Sequence, residues 1–406
     1  MLTNLSYQEA RELLLSRVEG LHPLIGLPLE QAAGRVLAED VYAAEDVPPF
    51  HKSPFDGYAF RAVDTKGASR EHPVTLRILE EVPAGAMWSR QVTPGTATKI
   101  LTGAPVPEGA DATVKYEDTE FTAGTVTIFS EFQPMDNVVV RGEDVQSGDL
   151  LALRGSVIDS ALLGTLAAQH IPEPLVYPVP RVGIITTGSE LSEPDEELSG
   201  GKIVNTNKFT FLAAVEKAGC SYLVYDSPGD HPEDIANILR LALSECDLVI
   251  TTGGVSVGDY DFTPDAMERA GAEILIRTLQ LKPGGASCYG IRNGTLICGL
   301  SGNPASALTN FYAVVLPVLR KLRGIREPRL TELPVVLAED FSKRSPKTRL
   351  IRGTLDLSDG TARMHVSKGQ GNGVLHSLIG CDLLAEIPAG SPRLSAGTRL
   401  TAYLLP

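Results

Sequence analysis

Three segments of the chain place glycine beside hydroxyl and amide side chains at the ends of apolar runs: Thr186-Thr-Gly-Ser-Glu-Leu191, Thr251-Thr-Gly-Gly-Val-Ser-Val-Gly-Asp-Tyr-Asp261 and Gly299-Leu-Ser-Gly-Asn-Pro304. Glycine lets backbone approach an anion closely, hydroxyls and amides donate to it, and a following helix N-terminus favours negative charge. A phosphate-bearing ligand suits such loops. Any one of them could be no more than a tight turn, but three at one sheet edge argue for a site. Three carboxylates accompany them, Glu190, Asp230 and Asp261. Carboxylates beside a phosphate are repulsive unless a hard cation lies between, which makes Mg²⁺ the economical partner. Asp230-His-Pro-Glu233 also reads as a helix N-cap, an ordinary structural use that Glu190 and Asp261 lack. Neither the P-loop pattern Gly-x-x-x-x-Gly-Lys-Ser/Thr nor the dinucleotide pattern Gly-x-Gly-x-x-Gly occurs, so an ordinary NTPase or dehydrogenase is not supported.

Other segments are weaker signals. Ser53-Pro-Phe-Asp-Gly-Tyr-Ala59, Leu101-Thr-Gly-Ala-Pro-Val-Pro107 and Arg141-Gly-Glu-Asp144 read first as turns. The basic cluster Lys343, Arg344, Lys347, Arg349 and Arg352 reads first as a solvated face, yet on an acidic protein it also suits a bound oxyanion. The seven histidines are scattered, with no metal-site spacing.

The elements that must position these residues alternate. Strands over 182–186, 222–225, 247–251, 273–281 and 295–298 interleave with helices over 208–218, 232–244, 264–270 and 305–323. That pattern predicts a mostly parallel sheet covered on both faces, whose ligands sit beyond the carboxyl ends of the strands where strand order reverses. Thr263-Pro264 and Asn303-Pro304 read as N-cap followed by Pro at the first helical position, and Gly219, Gly271 and Gly324 as helix stops. Before this region, helical patterns cover 7–18 and roughly 29–38, with Ser6 and Glu9 set as a capping box, and a β-rich stretch runs from Asp46 to Arg141. A helix over 157–168 then precedes four prolines within residues 172–180, which predict a stiff connector. After Pro328, short strands over 333–337, 349–357, 362–365, 382–387 and 400–404 suggest a small β-barrel.

Composition bounds the class. The 406 residues, 43% hydrophobic and 21% charged, with 39 Gly and 28 Pro, describe a turn-rich globular chain of two to four domains. The net charge of −14 argues against nucleic acid and anionic membrane as partners. It is unevenly spread, since residues 329–406 carry 10 basic and 7 acidic groups, net +3, leaving −17 for the rest. Five dispersed cysteines without a C-x-x-C pair predict a reducing compartment, and the longest apolar run, 311–319, is too short to span a bilayer, so a cytoplasmic location is expected.

Phe55-Asp-Gly-Tyr-Ala59, Thr102-Gly-Ala-Pro-Val-Pro107, Arg141-Gly-Glu-Asp144, Thr187-Gly-Ser-Glu-Leu191, Gly253-Gly-Val-Ser-Val-Gly258 with Asp261, Lys282-Pro-Gly284 and Gly302-Asn-Pro304 occur in an order that resembles the MoeA family, molybdopterin molybdenumtransferases, to which the gephyrin E-domain is related. The resemblance implies a multidomain α/β and β chain in four parts. These are an elongated discontinuous α/β segment (1–42 plus 144–176), an all-β or α+β domain (43–143), a central molybdopterin-binding α/β domain (177–328) and a C-terminal β-barrel (329–406). It implies insertion of molybdate into adenylylated molybdopterin with release of AMP, in a homodimer supplied by a molybdopterin adenylyltransferase. Mg²⁺ would be held among Glu190, Asp230 and Asp261, with Asp144 a further candidate. Gly253, Gly254, Ser256, Gly258, Gly302, Asn303 and Pro304 would hold pterin and phosphate. Lys282 and Arg352 would attract the oxyanion, and Asp56 and Thr102 would reach across from the other subunit.

The chain departs from the family pattern at four places. Lys282-Pro-Gly-Gly-Ala286 stands where many members read Lys-Pro-Gly-Lys-Pro, Ser301 replaces a proline, Thr278 a lysine and Asn372 a serine. These changes cluster at the implied oxyanion pocket, so a shift in oxyanion affinity, tungstate against molybdate, is expected. The alternatives are a scaffold of the gephyrin E-domain kind or a paralogue that binds the finished cofactor without making it.

Overall fold

A computed structural model of the chain describes residues 1–226, 231–256 and 262–406. The chain divides into two compact units, one formed by Met1–Glu39, Arg154–Asp159 and Glu173–Pro406, the other by Asp40–Leu153 and Ser160–Pro172.

The first unit opens with α1 (Tyr7–Leu15), started by the expected capping box: Ser6 accepts from the Glu9 amide and Glu9 answers at the Ser6 amide. Its centre is built from β1 (Arg181–Thr186), α2 (Thr206–Lys217), β2 (Ser221–Tyr225), α3 (Pro232–Glu245), β3 (Leu248–Thr252), α4 (Thr263–Arg269), β4 (Glu273–Ile276), β5 (Cys288–Arg292), β6 (Thr295–Leu300) and α5 (Pro304–Asn310). The strands lie in the order β2-β1-β3-β6-β5-β4. The first four are parallel, while β5 runs antiparallel to both neighbours. Both faces are covered, which is why β1 and β3 read as continuous apolar runs. Val182, Ile184, Leu248 and Ile250 pack with α1, α2 and the 304–322 helix, and Ile185, Val249 and Ile297 with α3 and α4.

Several sequence expectations are corrected. The strand expected over 273–281 stops at Ile276. Leu2 and Leu5 bridge to Ile276 and Leu279, and Leu281–Lys282 pairs in parallel with Thr348–Arg349 of the C-terminal sheet. β5 was not anticipated, although Asn293-Gly294 between β5 and β6, at φ 51° and 89°, is the turn that most favours a hairpin. The helix expected around 29–38 is only a 3₁₀ turn, Leu29–Gln31. Gly34 at φ 75° breaks it, and Val36 and Leu37 bridge to Val157 and Val176. The proline-rich connector contributes Leu175–Val176 to a ladder with Ile25–Gly26. The last helix is continuous but in three pieces, α5, a π-turn Phe311–Val315 and α6 (Leu316–Leu322). Pro317, which lacks an amide, follows directly on the π-turn, where the regular helical hydrogen-bond ladder is already interrupted.

The C-terminal strands β7 (Glu332–Leu337), β8 (Thr348–Asp356), β9 (Arg363–Val366), β10 (Leu383–Ile387) and β11 (Arg399–Leu404) close a five-stranded barrel in the order β8-β9-β7-β11-β10 and back to β8. Alternation sorts the side chains of β8 and β10: Ile351, Leu383 and Ala385 fill the barrel, whereas Leu350 and Leu384 join the core of the central domain. Tyr7 of α1 donates to Glu386 of β10, and its hydroxyl lies 2.7 Å from that of Tyr403.

The second unit is a six-stranded mixed sheet in the order 112–115, 57–60, 96–100, 74–82, 125–128, 119–121 over a core of Tyr58, Phe60, Leu76, Val114, Val126 and Ile128. A short ladder of Val41–Tyr42 with Leu150–Ala152 and the helix Ser160–Ala168 complete it. Among the described residues no helix is long and apolar enough to cross a membrane.

Candidate functional site

Strand order reverses between β1 and β3, because β1 pairs with β2 on one side and β3 on the other. The chain therefore leaves their carboxyl ends in opposite directions and opens a crevice. A cavity of about 1130 Å³ occupies it, lined by Glu190, Asn207, Gly253, Gly254, Ser256 and Asn303 among others. Gly302 and Pro304 line it too, so the three glycine-bearing loops do converge.

Short hydrogen bonds hold the loops in register. The Thr187 amide and hydroxyl both donate to the Thr252 carbonyl, at 2.9 and 3.1 Å, and the Gly253 amide donates to Leu300 at 3.1 Å. Gly253 and Gly254 take φ of 99° and 59°, open to glycine at little cost. Thr263, expected as a helix cap, is instead the first residue of α4, and its hydroxyl donates to the Gly253 carbonyl at 2.8 Å. Arg277 donates to the carbonyls of Val255 and Ser256 at 3.0 and 2.9 Å.

Asn205 caps α2 by accepting from the Lys208 amide at 3.2 Å, while Asn207 donates to the Gly302 carbonyl at 3.0 Å. Sequence reasoning missed both asparagines. Asn-x-Asn ahead of a helical run was the available signal, but it reads first as a cap.

The Glu190 carboxylate lines the cavity and folds over Gly188 so closely that a Cβ there would lie 2.5 Å from its Oε2. It is exposed and has neither hydrogen bond nor ion pair to a described residue. An unpaired carboxylate at an anion-accepting cavity fits as one hard oxygen ligand of Mg²⁺, which keeps several waters. Among the described residues no three acidic, histidine or cysteine side chains converge on a metal site. Asp230, Asp261 and Gly258 lie outside the described residues.

A second pocket, of about 420 Å³, shares Ser256, Ala286, Ser301 and Asn303 with the first. Lys282, Gly285, Ser306, Lys347 and Asn372 also line it. Arg352 lines neither pocket. It is fully buried on β8 and donates to the carbonyls of Gly369 and Gly371 at 3.2 and 3.1 Å, while its Nε and second terminal nitrogen have no partner. Burial, with a smaller contribution from neighbouring Arg349, pushes its pKa down.

Asp56, Thr102 and Asp144 belong to the other unit. Asp56 Oδ1 accepts from the Thr102 amide at 2.7 Å and its hydroxyl at 2.8 Å, so the two motifs tie to each other. Asp144 is exposed, with its amide donating to the Val47 carbonyl at 2.9 Å. The Thr102 bonds, the amide first, hold the Asp56 carboxyl below the usual aspartate range. Because its folded value is lowered, the tie is intact at neutral pH and is lost as pH falls through that value. An NMR titration is expected to find Asp56 below an unstructured aspartate; a value at or above the ordinary one contradicts the tie.

Three family models match most of the chain. Residues 5–169 match the MoeA N-terminal region (domain I and II), 183–321 a probable molybdopterin binding domain, and 334–405 the MoeA C-terminal region (domain IV). The molybdopterin molybdenumtransferase of Staphylococcus epidermidis is 34% identical over 380 residues, 94% of this chain and 91% of that one. Its counterpart in Staphylococcus aureus is 34% identical over 375 residues, 92% and 90% of the two chains. The crystal structure of the molybdopterin biosynthesis MoeA protein from Pyrococcus horikoshii superposes with a TM-score of 0.85 at 32% identity, covering 99% of this chain and 100% of that one.

Proposed function

The chain belongs to the MoeA family, and from that premise we propose that it inserts molybdate into adenylylated molybdopterin with Mg²⁺-dependent release of AMP. It is a molybdopterin molybdenumtransferase of molybdenum cofactor biosynthesis, as its relatives are named. The observation that carries the chemistry is the pair of contiguous pockets. The larger is walled by glycine-rich loops at the switch point, and the smaller is lined by lysines, hydroxyls and amides.

In this reading the backbone of Gly253, Gly254 and Gly302, with Ser256, Asn303 and the start of α5 at Pro304, holds the pterin and its phosphate. Gly258 would extend the same cradle. Lys282 binds the oxyanion, and the buried Arg352 keeps the 369–371 loop in place behind it. Glu190, with Asp230 and Asp261 as further ligands, would hold Mg²⁺, which supplies charge neutralisation at the pyrophosphate when bound. Asp56, Thr102 and Asp144 would complete the site from a second subunit of a homodimer. The four-part division inferred from sequence, the adenylyltransferase as upstream partner and a cytoplasmic location belong to the same proposal.

Purified protein given adenylylated molybdopterin, Mg²⁺ and molybdate is expected to release AMP and yield a cofactor that activates an apo-molybdoenzyme. Binding of molybdopterin without AMP release at any molybdate or tungstate concentration would favour a binding-only paralogue. Parallel titrations with the two oxyanions test the expected shift in choice.

A further inference from the structure

We infer that Lys347, a barrel residue, is the second cationic arm of the smaller pocket, and that a tetrahedral oxyanion of charge −2 is clasped between it and Lys282 of the central domain. The inference rests on the reading of that pocket as the oxyanion site. It goes further in assigning the second cationic contact to one residue of the basic cluster 343–352.

The described residues lining the 420 Å³ pocket include Lys282, Lys347, Ser256, Ser301, Ser306, Asn303 and Asn372, and none of them is acidic. The two lysines are brought together by a two-residue ladder. Leu281 pairs with Thr348 and Lys282 with Arg349, so Lys347 stands one residue before the paired segment. Both lysines are exposed, and neither forms an ion pair with a described residue. On β8, outside the lining, Arg349 and Arg352 are buried at 4% and 0% exposure. Among the described residues neither has a carboxylate partner, and Arg352 leaves two guanidinium nitrogens unbonded. Two ammonium groups on one pocket with no acidic neighbour among the described residues suit a dianion, which can accept from both and from the neighbouring hydroxyls and amides.

The pocket floor explains why a cation has to come from the barrel. The Gly285 carbonyl accepts from the Leu279 amide at 3.0 Å, and a Cβ at Gly285 would lie 2.6 Å from the Leu281 carbonyl oxygen and 2.9 Å from that of Leu279. Both obstacles are backbone, so no side chain enters from position 285 without moving the floor. The nearby chain that can present an ammonium is the 343–349 segment, and Lys347 lines the pocket.

Equilibrium dialysis of the full chain against molybdate, at low and high salt, tests this. Lys347→Gln is expected to weaken molybdate binding roughly 10- to 100-fold, the range of one lost charge-assisted hydrogen bond. Lys347→Arg should recover most of it, and Arg393→Gln, which removes an exposed charge from the same domain outside the pocket, should change it less than twofold. Because Lys347 is exposed, thermal melts should be unchanged. If wild type binds molybdate, Lys282→Gln weakens it and Lys347→Gln does not, the inference is overturned while the oxyanion pocket stands. If wild type binds neither molybdate nor tungstate, both fall together.

Discussion

Glu190→Gln is expected to reduce AMP release at least about 100-fold, roughly 2.7 kcal/mol of transition-state stabilisation, while the melting temperature stays within a degree or two. The substitution preserves size and removes only charge. In the folded chain Glu190 is exposed and has no described partner to lose, so stability has no reason to change. Activity does: cleaving a phosphoric anhydride builds charge that a divalent cation must neutralise, and a ligand lost from a hard-cation site weakens the metal that remains. The defect should therefore shrink as Mg²⁺ is raised, and binding of molybdopterin, which we assign to the glycine loops, should change only a few-fold. Single-turnover AMP release across a Mg²⁺ series is the measurement. A loss of less than threefold at limiting Mg²⁺ would remove Glu190 from the metal site.

Gly253→Ala is expected to damage both fold and binding. Its φ of 99° lies where a side chain is strained, and the added Cβ would stand 2.5 Å from the Thr187 carbonyl oxygen and 2.7 Å from the Thr187 hydroxyl. Neither obstacle can swing away freely, since the Thr187 amide and hydroxyl are both anchored to the Thr252 carbonyl. Strain of about 1–3 kcal/mol, with a similar overpacking cost, gives a loss of roughly 2–6 kcal/mol by urea unfolding. If the loops relax to accept the methyl group, β1 and β3 must part at their carboxyl ends, and pterin affinity should fall with the stability. Gly254→Ala is the milder comparison, because its Cβ would lie 3.0 Å from the Thr263 hydroxyl and 3.5 Å, an ordinary contact, from the Phe262 and Thr263 backbone nitrogens. Equal effects from the two would contradict the crowding argument.

Regular, local features were readable in the chain. The alternation of apolar runs with helical patterns from 181 to 322, the capping box at Ser6 and Glu9, and the glycine stops at Gly219, Gly271 and Gly324, all at positive φ, each depend on residues within a few positions of one another. Features set by long-range pairing were not. Ile274, Ile276, Leu279 and Leu281 suit one strand by composition, but Leu2, Leu5 and β8 pair along that stretch and divide it. Gly34 carried a warning against the second N-terminal helix, yet only pairing with residues 157 and 176 decides where that chain goes.

The sequence by itself determined the chemistry on offer: three glycine-bearing loops at strand ends, an acid among them, a basic tail on an acidic body, and motifs in MoeA order. Tertiary structure alone decided which of those residues share a space. Glu190 and the loops of β1, β3 and β6 meet in one cavity because parallel pairing aligns the strands' carboxyl ends. Arg352, which carries the same charge as Lys347, is buried and lines neither pocket, while Lys347, one residue before the segment that pairs with Leu281–Lys282, lines the smaller one. Strand register and parity set those outcomes. Both are properties of partners far apart in the chain, and composition and spacing do not encode them.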